Sequence, residues 1–246
     1  MKKGLRNLLI GVFWLAVWQG ISAAVGLNIL LPGPVDTLRA LIRLAGTAAF
    51  WLTAGQTLLR VAAGYALAVA AGVLLAALCH RFRGADALLS PLRTVIKATP
   101  VTSFIILVLL WIARARVPVF IAFLMVLPIV WTGVQEALAA VDANLLEMAA
   151  MYRFSAGKKL RYVYLPSIRP ALTAACVTGL GFAWKSGIAA EVIARPEGAV
   201  GTQLYNAQIY LERADLFAWT LTVILLSLAL EALIKAVARR GKGAAA

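Results

Sequence analysis

The 246 residues are 63% hydrophobic and 14% charged, more apolar side chain than a single soluble core of this length buries. The formal net charge is +14, but the basic residues fall between apolar runs and form no continuous stripe with interleaved aromatics, which excludes a nucleic-acid surface. Lipid is therefore the expected solvent, and the chain reads as an all-α, polytopic membrane helix bundle. About six spans and their loops take up residues 1–246 as a single transmembrane domain, leaving no room for a soluble catalytic or nucleotide-binding domain.

In chain order, Lys2, Lys3 and Arg6 precede a first span over Leu8–Val25. Basic-then-apolar is also the layout of a secretory signal, and Ser22-Ala23-Ala24 resembles a weak cleavage site; the length of the run and the membrane-like chain beyond it favour an uncleaved helix. Leu31-Pro32-Gly33-Pro34 makes a rigid turn. Val35, Leu38, Leu41, Ile42 and Ala45 then recur at helical spacing, predicting an amphipathic helix along the membrane surface. The remaining spans are expected at Thr57–Cys79, Thr102–Ala113, Val117–Thr132, Ala171–Ala190 and Leu216–Ala238. The third is short, and Pro91 and Pro100 punctuate its approach, so it either extends backward or bends.

Small residues recur every fourth position in two of these spans: Gly64, Ala68, Gly72 and Ala76, then Ala171, Ala175, Gly179, Ala183 and Gly187. Such stripes let helix backbones approach closely in lipid, whether within one bundle or across a dimer face. With the N-terminus inside and six alternating spans, sixteen of the 24 Lys and Arg residues fall on inner segments, six on outer segments and two, Arg60 and Lys185, within spans. That asymmetry predicts both termini in the cytoplasm, with Arg114 and Arg116 against the trend. Cys79 and Cys176 lie in apolar stretches as small hydrophobes and suggest neither a disulfide nor a metal site.

The longest polar interval, residues 135–169, is placed in the cytoplasm by this count. Leu145, Met148, Ala149 and Tyr152 share one face of a short predicted helix, Ser155-Ala156-Gly157 breaks it, and Leu160, Val163 and Tyr164 begin a second apolar face that Pro166 ends or bends. Such an element can lie on lipid headgroups or dock into a groove of a soluble partner.

This interval resembles the cytoplasmic loop of binding-protein-dependent ABC importer permeases, with the pattern E-A-A-x-x-x-G-x9-I-x-L-P. Glu147, Ala149, Leu165 and Pro166 match in register and Val163 stands for the Ile, whereas Met148 replaces the first Ala and Arg153 the Gly. Without that Gly, the turn falls to Ser155-Ala156-Gly157 or to an ordinary residue under strain. The Leu31–Pro34 turn, Leu58-Leu59-Arg60-Val61 with Gly64, Leu89 to Pro100, Ala183-Trp184 followed by Ala190-Glu191, and Gly198 to Asn206 are similar in order and spacing to the nitrate/sulfonate/taurine subgroup. The resemblance implies a type I ABC importer permease fold in a bacterial inner membrane. It implies a second permease chain, identical or paralogous, two cytoplasmic ATPase subunits that hold the ATP and Mg, an extracytoplasmic binding protein, and no cofactor on this chain. The expected cargo is a small anionic solute, and the expected ATPase-coupling residues are Glu147, Met148, Ala149, Tyr152, Arg153, Gly157, Leu165 and Pro166.

Lys185 lies within the fifth span, sharing a face with Thr178 and Phe182, where a charge is costly unless it meets water, a partner or a ligand. It either faces the translocation path and attracts an anion, or snorkels or pairs with Glu191. Thr99, Pro100, Thr102 and Ser103 are further path candidates, since broken helices expose carbonyls and hydroxyls, with plain helix capping as the alternative. Glu191 is included among the candidates, and Arg60 reads as an interfacial anchor. His80, the single histidine, reads as an interface residue. A membrane-embedded enzyme lacks support, for no G-x-S-x-G or H-E-x-x-H occurs and Gly157-Lys158-Lys159 lacks the rest of a phosphate loop. A carrier or channel working alone is the other alternative; inverted repeats that would favour it are not evident.

Overall fold

The computed structural model describes residues 3–26 and 30–243. Lys2 and Ile29 lie outside the described residues, as do the side chains of Lys3, Lys235, Arg239, Arg240 and Lys242, which enter the count of inner charges. The described residues form helices and connecting turns with no strand. In order they are α1 (Lys3–Val25), α2 (Pro34–Ala45), α3 (Ala48–Arg81), α4 (Arg83–Ala98), α5 (Val101–Val108), a 3-10 turn (Arg114–Arg116), α6 (Val117–Ala139), α7 (Ala143–Met151), α8 (Ala156–Lys159), a π-helical turn (Leu160–Tyr164), α9 (Leu165–Ala194), α10 (Val200–Ile209) and α11 (Arg213–Gly243).

The centre of the bundle is α6, which packs most extensively against α3 on one side and α9 on the other. The small-residue stripes make this possible. A Cβ on Gly64 would stand 2.3 Å from the Val119 carbonyl oxygen of α6 and one on Gly179 2.9 Å from Val126 Cγ1 of α6, while one on Gly187 would stand 2.6 Å from Val61 Cγ2 of α3. Gly64, Ala68, Gly72 and Ala76 of α3 and Ala175, Gly179, Ala183 and Gly187 of α9 are all buried. Between packing within a bundle and a dimer face, the stripes are thus used within this chain, where close backbone approach gathers the dispersion contacts that hold helices together in lipid.

Among the described residues, four stretches are long and apolar enough to cross a membrane by themselves: Gly4–Val25, Ala48–Arg81, Arg114–Ala139 and Arg213–Ile234. The expected third span, Thr102–Ala113, needs correction. Helix stops at Val108, and α5 with α4 forms a pair bent by 104° that becomes a fifth span only if counted together. Pro100 explains the break: it fixes its own φ, here −61°, and drives Thr99 out of the helical region to ψ 130°. The expected fifth span falls within α9, which at 30 residues is about 45 Å long, yet it is not among the stretches apolar enough to stand alone in lipid. Its polar residues are accommodated because much of the helix is enclosed by α3, α6, α10 and α11.

The predicted surface helix is α2, and it has two apolar faces. Leu41, Leu44 and Ala45 pack on the core while Val35, Leu38 and Ile42 are exposed, as befits a helix between protein and lipid. An Arg43–Asp215 ion pair clips it to the start of α11.

Candidate functional site

Helix α7 starts where Asp142 accepts a hydrogen bond from the Asn144 N–H at 2.9 Å, a side-chain N-cap. Its apolar face is mostly unpartnered: Ala149 is buried, whereas Leu145, Met148 and Tyr152 are exposed, as is Glu147. The helix ends at Arg153, which adopts φ +49°. The Phe154 N–H donates to the Ala149 carbonyl at 2.8 Å and the Arg153 N–H to the Ala150 carbonyl at 3.0 Å, the paired bonds of a Schellman turn. Arg153 therefore takes the left-handed position that glycine usually fills, at a cost of about 1–2 kcal/mol. Of the two expected ways to make the turn without the family glycine, the structure uses the strained ordinary residue; Gly157 is an ordinary helical residue in α8.

From Ala156 to Ala194 the backbone is helical without a break. Pro166, expected to end or bend the segment, instead sits in the first turn of α9, directly after the π-helical turn Leu160–Tyr164. A proline ring clashes with the carbonyl four residues back, and the wider π turn gives it room. Val163 is buried and Tyr164 packs on the core, so the rod is anchored near its base, while Leu160 and Leu165 remain exposed. The same rod carries Thr178, Lys185 and Glu191, so α7 and these residues are joined through one Schellman turn and one continuous helix.

Lys185 is exposed on α9 and lines an open cavity of about 700 Å³ together with Thr178, Phe182, Lys97, Thr99 and Pro100. An adjoining cavity of about 320 Å³ shares Thr178, Phe182 and Lys185 and is bounded by Ser227 and Glu231 of α11. The bend between α4 and α5 thus forms one wall, opposite the lysine-bearing face of α9. Thr102 and Ser103 lie on the exposed side of α5, outside this lining. Lys97 was not singled out in the sequence because it reads as one more inner-side charge; its place just before the proline break is the signal that could have found it.

Glu191 occupies a different environment. It is fully buried, and its carboxylate accepts from the Thr57 hydroxyl at 3.0 Å, the Gly201 N–H at 3.1 Å and Arg60 Nη1 at 3.5 Å. Arg60 also donates to the Gly198 and Glu197 carbonyls at 3.1 and 2.9 Å, and the Thr57 hydroxyl accepts from the Val200 N–H at 3.0 Å. This network ties α3, α9 and the start of α10 together. Glu191 is not paired with Lys185, and Arg60, rather than simply anchoring at an interface, is a bonded member of the cluster. Thr57 was missed as a network residue because its partners lie more than 130 positions away.

A second polar tie joins α4 to α6. Arg93 donates to Gln135 at 2.6 Å and lies over the Trp131 ring at 5.1 Å, and Gln135 donates to Asp86 at 2.8 Å. It fixes the broken α4–α5 wall to the central helix.

An all-α membrane bundle with an open cavity against a broken helix, and an amphipathic elbow with a mostly exposed apolar face joined to the helix lining that cavity, has the build of a transport subunit. Residues 68–242 match the binding-protein-dependent transport system inner membrane component family, and the chain belongs to it. It is 26% identical to a probable ABC transporter permease of Brucella melitensis, over 95% of this chain and 94% of that one. It is 24% identical to a putative aliphatic sulfonates transport permease of Bacillus subtilis, covering 87% and 78% of the two chains, and 24% identical to the taurine transport system permease of Escherichia coli, covering 96% and 86%. These relatives place it in the nitrate/sulfonate/taurine subgroup of ABC permeases. Such permeases are transport subunits rather than enzymes; ATP hydrolysis belongs to separate ATPase subunits.

Proposed function

We propose that this chain carries a small anionic solute, of the nitrate, sulfonate or taurine kind, into the cell along the cavity lined by Thr99, Pro100, Thr178 and Lys185. It does so paired with a second permease chain, two ATPase subunits that hold ATP and Mg, and an extracytoplasmic binding protein. Both termini are cytoplasmic in this reading, and residues 135–169 form the coupling loop of one membrane domain. The observation that carries the reading is the continuous helix from Ala156 to Ala194. Motion imposed on the Glu147–Pro166 elbow by an ATP-driven partner reaches Thr178 and Lys185 through a rod about 44 Å long between Ala156 and Lys185. Coupling requires such an element, with two discrete placements that both ends bias.

The relatives' named solutes, sulfonates and taurine, share an anionic sulfonate group, and an ammonium beside hydroxyls at the wall of a membrane cavity suits such a group. The test is ATP-driven uptake of taurine and nitrate by the full complex in proteoliposomes. Glu147→Arg is expected to abolish uptake while the chain stays in the membrane, and Lys185→Met to lower it about tenfold with the ATPase still stimulated. Unchanged uptake in both variants overturns the reading.

A further inference from the structure

Away from the Lys185 cavity, a second polar cavity of about 730 Å³ is lined by Gln56, Arg60, Arg114, Arg195, Glu197 and neighbouring backbone. Three chain segments far apart in sequence supply its arginines: the first half of α3, the 3-10 turn before α6, and the end of α9. Arg114 is one of the two arginines that oppose the charge asymmetry of the chain, so its position is not explained by the rule that orients the other basic residues.

Two of the guanidinium groups are held in place. Arg60 is fixed by Glu191 and by the Gly198 and Glu197 carbonyls. Arg195 lies over the Tyr205 ring at 4.7 Å and donates to its hydroxyl at 3.1 Å. Arg195 also sits at φ +50°, a left-handed position where glycine would cost less, so the fold retains an arginine there against local strain. Arg114 makes no hydrogen bond or ion pair among the described residues. The charge of Arg60 is matched by Glu191, and Glu197 offsets one of the remaining two, leaving a surplus of one positive charge.

We propose that this cavity is a binding site for a small monovalent oxyanion, a sulfonate, carboxylate or nitrate. The side chains of Arg60, Arg114, Arg195 and Gln56 offer N–H donors. Planar guanidinium forks match such anions, and the immobilised Arg60 and Arg195 lose little freedom on binding. By the charge count the site lies at the extracytoplasmic end of α3 and α9, ahead of the Lys185 cavity, and so collects the solute before it enters the path. This placement rests on the proposed orientation and direction of transport; the binding itself does not.

The experiment measures phenylglyoxal modification of individual arginines, read by peptide mass spectrometry, in the complete complex in nanodiscs without binding protein. Millimolar methanesulfonate at constant ionic strength is expected to slow modification of Arg114 and Arg195 about fivefold, while equal chloride does not. Arg114→Gln should remove the protection at Arg195. Arg195→Gly, which suits the backbone, should leave the protein at least as stable to heat while abolishing protection at Arg114. Protection that persists in Lys185→Met separates this site from the proposed path, and a charged, membrane-impermeant arylglyoxal applied outside sealed spheroplasts tests the orientation alone. Equal protection by chloride, no protection, or protection only when the binding protein is added each overturns the proposal, the last by assigning the arginines to an acidic docking surface.

Discussion

Glu191 and Lys185 stand six residues, or about 9 Å, apart on the same helix, Lys185 inside the expected fifth span and Glu191 one residue beyond its outer end. Glu191 is enclosed and receives hydrogen bonds from α3 and from the start of α10; Lys185 is exposed and faces a cavity. A charge within an apolar helix therefore does not reveal its role. The set of groups around it does: a satisfied, buried ion holds helices in register, whereas an open one beside hydroxyls and a broken backbone is available to a ligand.

The largest effect expected from this contrast is on stability. Glu191→Ala leaves Arg60 without its counter-charge and the Thr57 hydroxyl and Gly201 N–H without their acceptor, and should cost about 3–5 kcal/mol. Thermal unfolding of the purified chain in detergent measures it, with Glu191→Gln falling between the two because an amide carbonyl still accepts from Thr57 and Gly201. A melting temperature unchanged in Glu191→Ala breaks the comparison.

Next in size is Gly187→Val. The added carbons meet Val61 Cγ2, already only 2.6 Å from a Cβ at that position, and overpacking between α3 and α9 should cost about 1–3 kcal/mol. Lys185→Met, the transport variant, should by contrast change the unfolding free energy by less than about 0.5 kcal/mol, since its side chain leaves no buried partner behind. A marked destabilisation in Lys185→Met would make both charges structural and remove the distinction.

Much of the Glu147–Pro166 elbow was legible in the sequence because its signals are local. Leu145, Met148, Ala149 and Tyr152 mark a face, and Glu147, Ala149, Leu165 and Pro166 keep the register of the family pattern, whereas the Asp142 cap emerged only in the structure. The Lys185 cavity and the Glu191 network were less so. Pro100 announced a break but not its 104° angle, which depends on how α5 packs against α6 and α9. Pro166 read as ending or bending its helix, yet the π turn accommodates it, and α9 continues through Pro170 as well. The partners of Glu191 could not be read because spacing within one helix carries no information about a threonine on another.

A further effect, at Arg153, sharpens the comparison between strain that serves a fold and strain that serves a site. Arg153 and Arg195 are both arginines at helix C-termini in the left-handed region, at φ +49° and +50°. Arg195 has a ring and a hydroxyl to hold its side chain over a cavity; the side chain of Arg153 is exposed at the end of α7, where the family pattern has glycine. Arg153→Gly removes the Cβ clash but gives the unfolded chain more freedom, and the net stabilisation should be about 1 kcal/mol. Unfolding should show the gain, and ATP-driven uptake by the full complex should be retained, because the Schellman hydrogen bonds that set the direction of α8 use backbone atoms alone. A gain in stability accompanied by lost uptake would show that the guanidinium itself contacts the ATPase, making this strained arginine, like Arg195, one kept for its side chain.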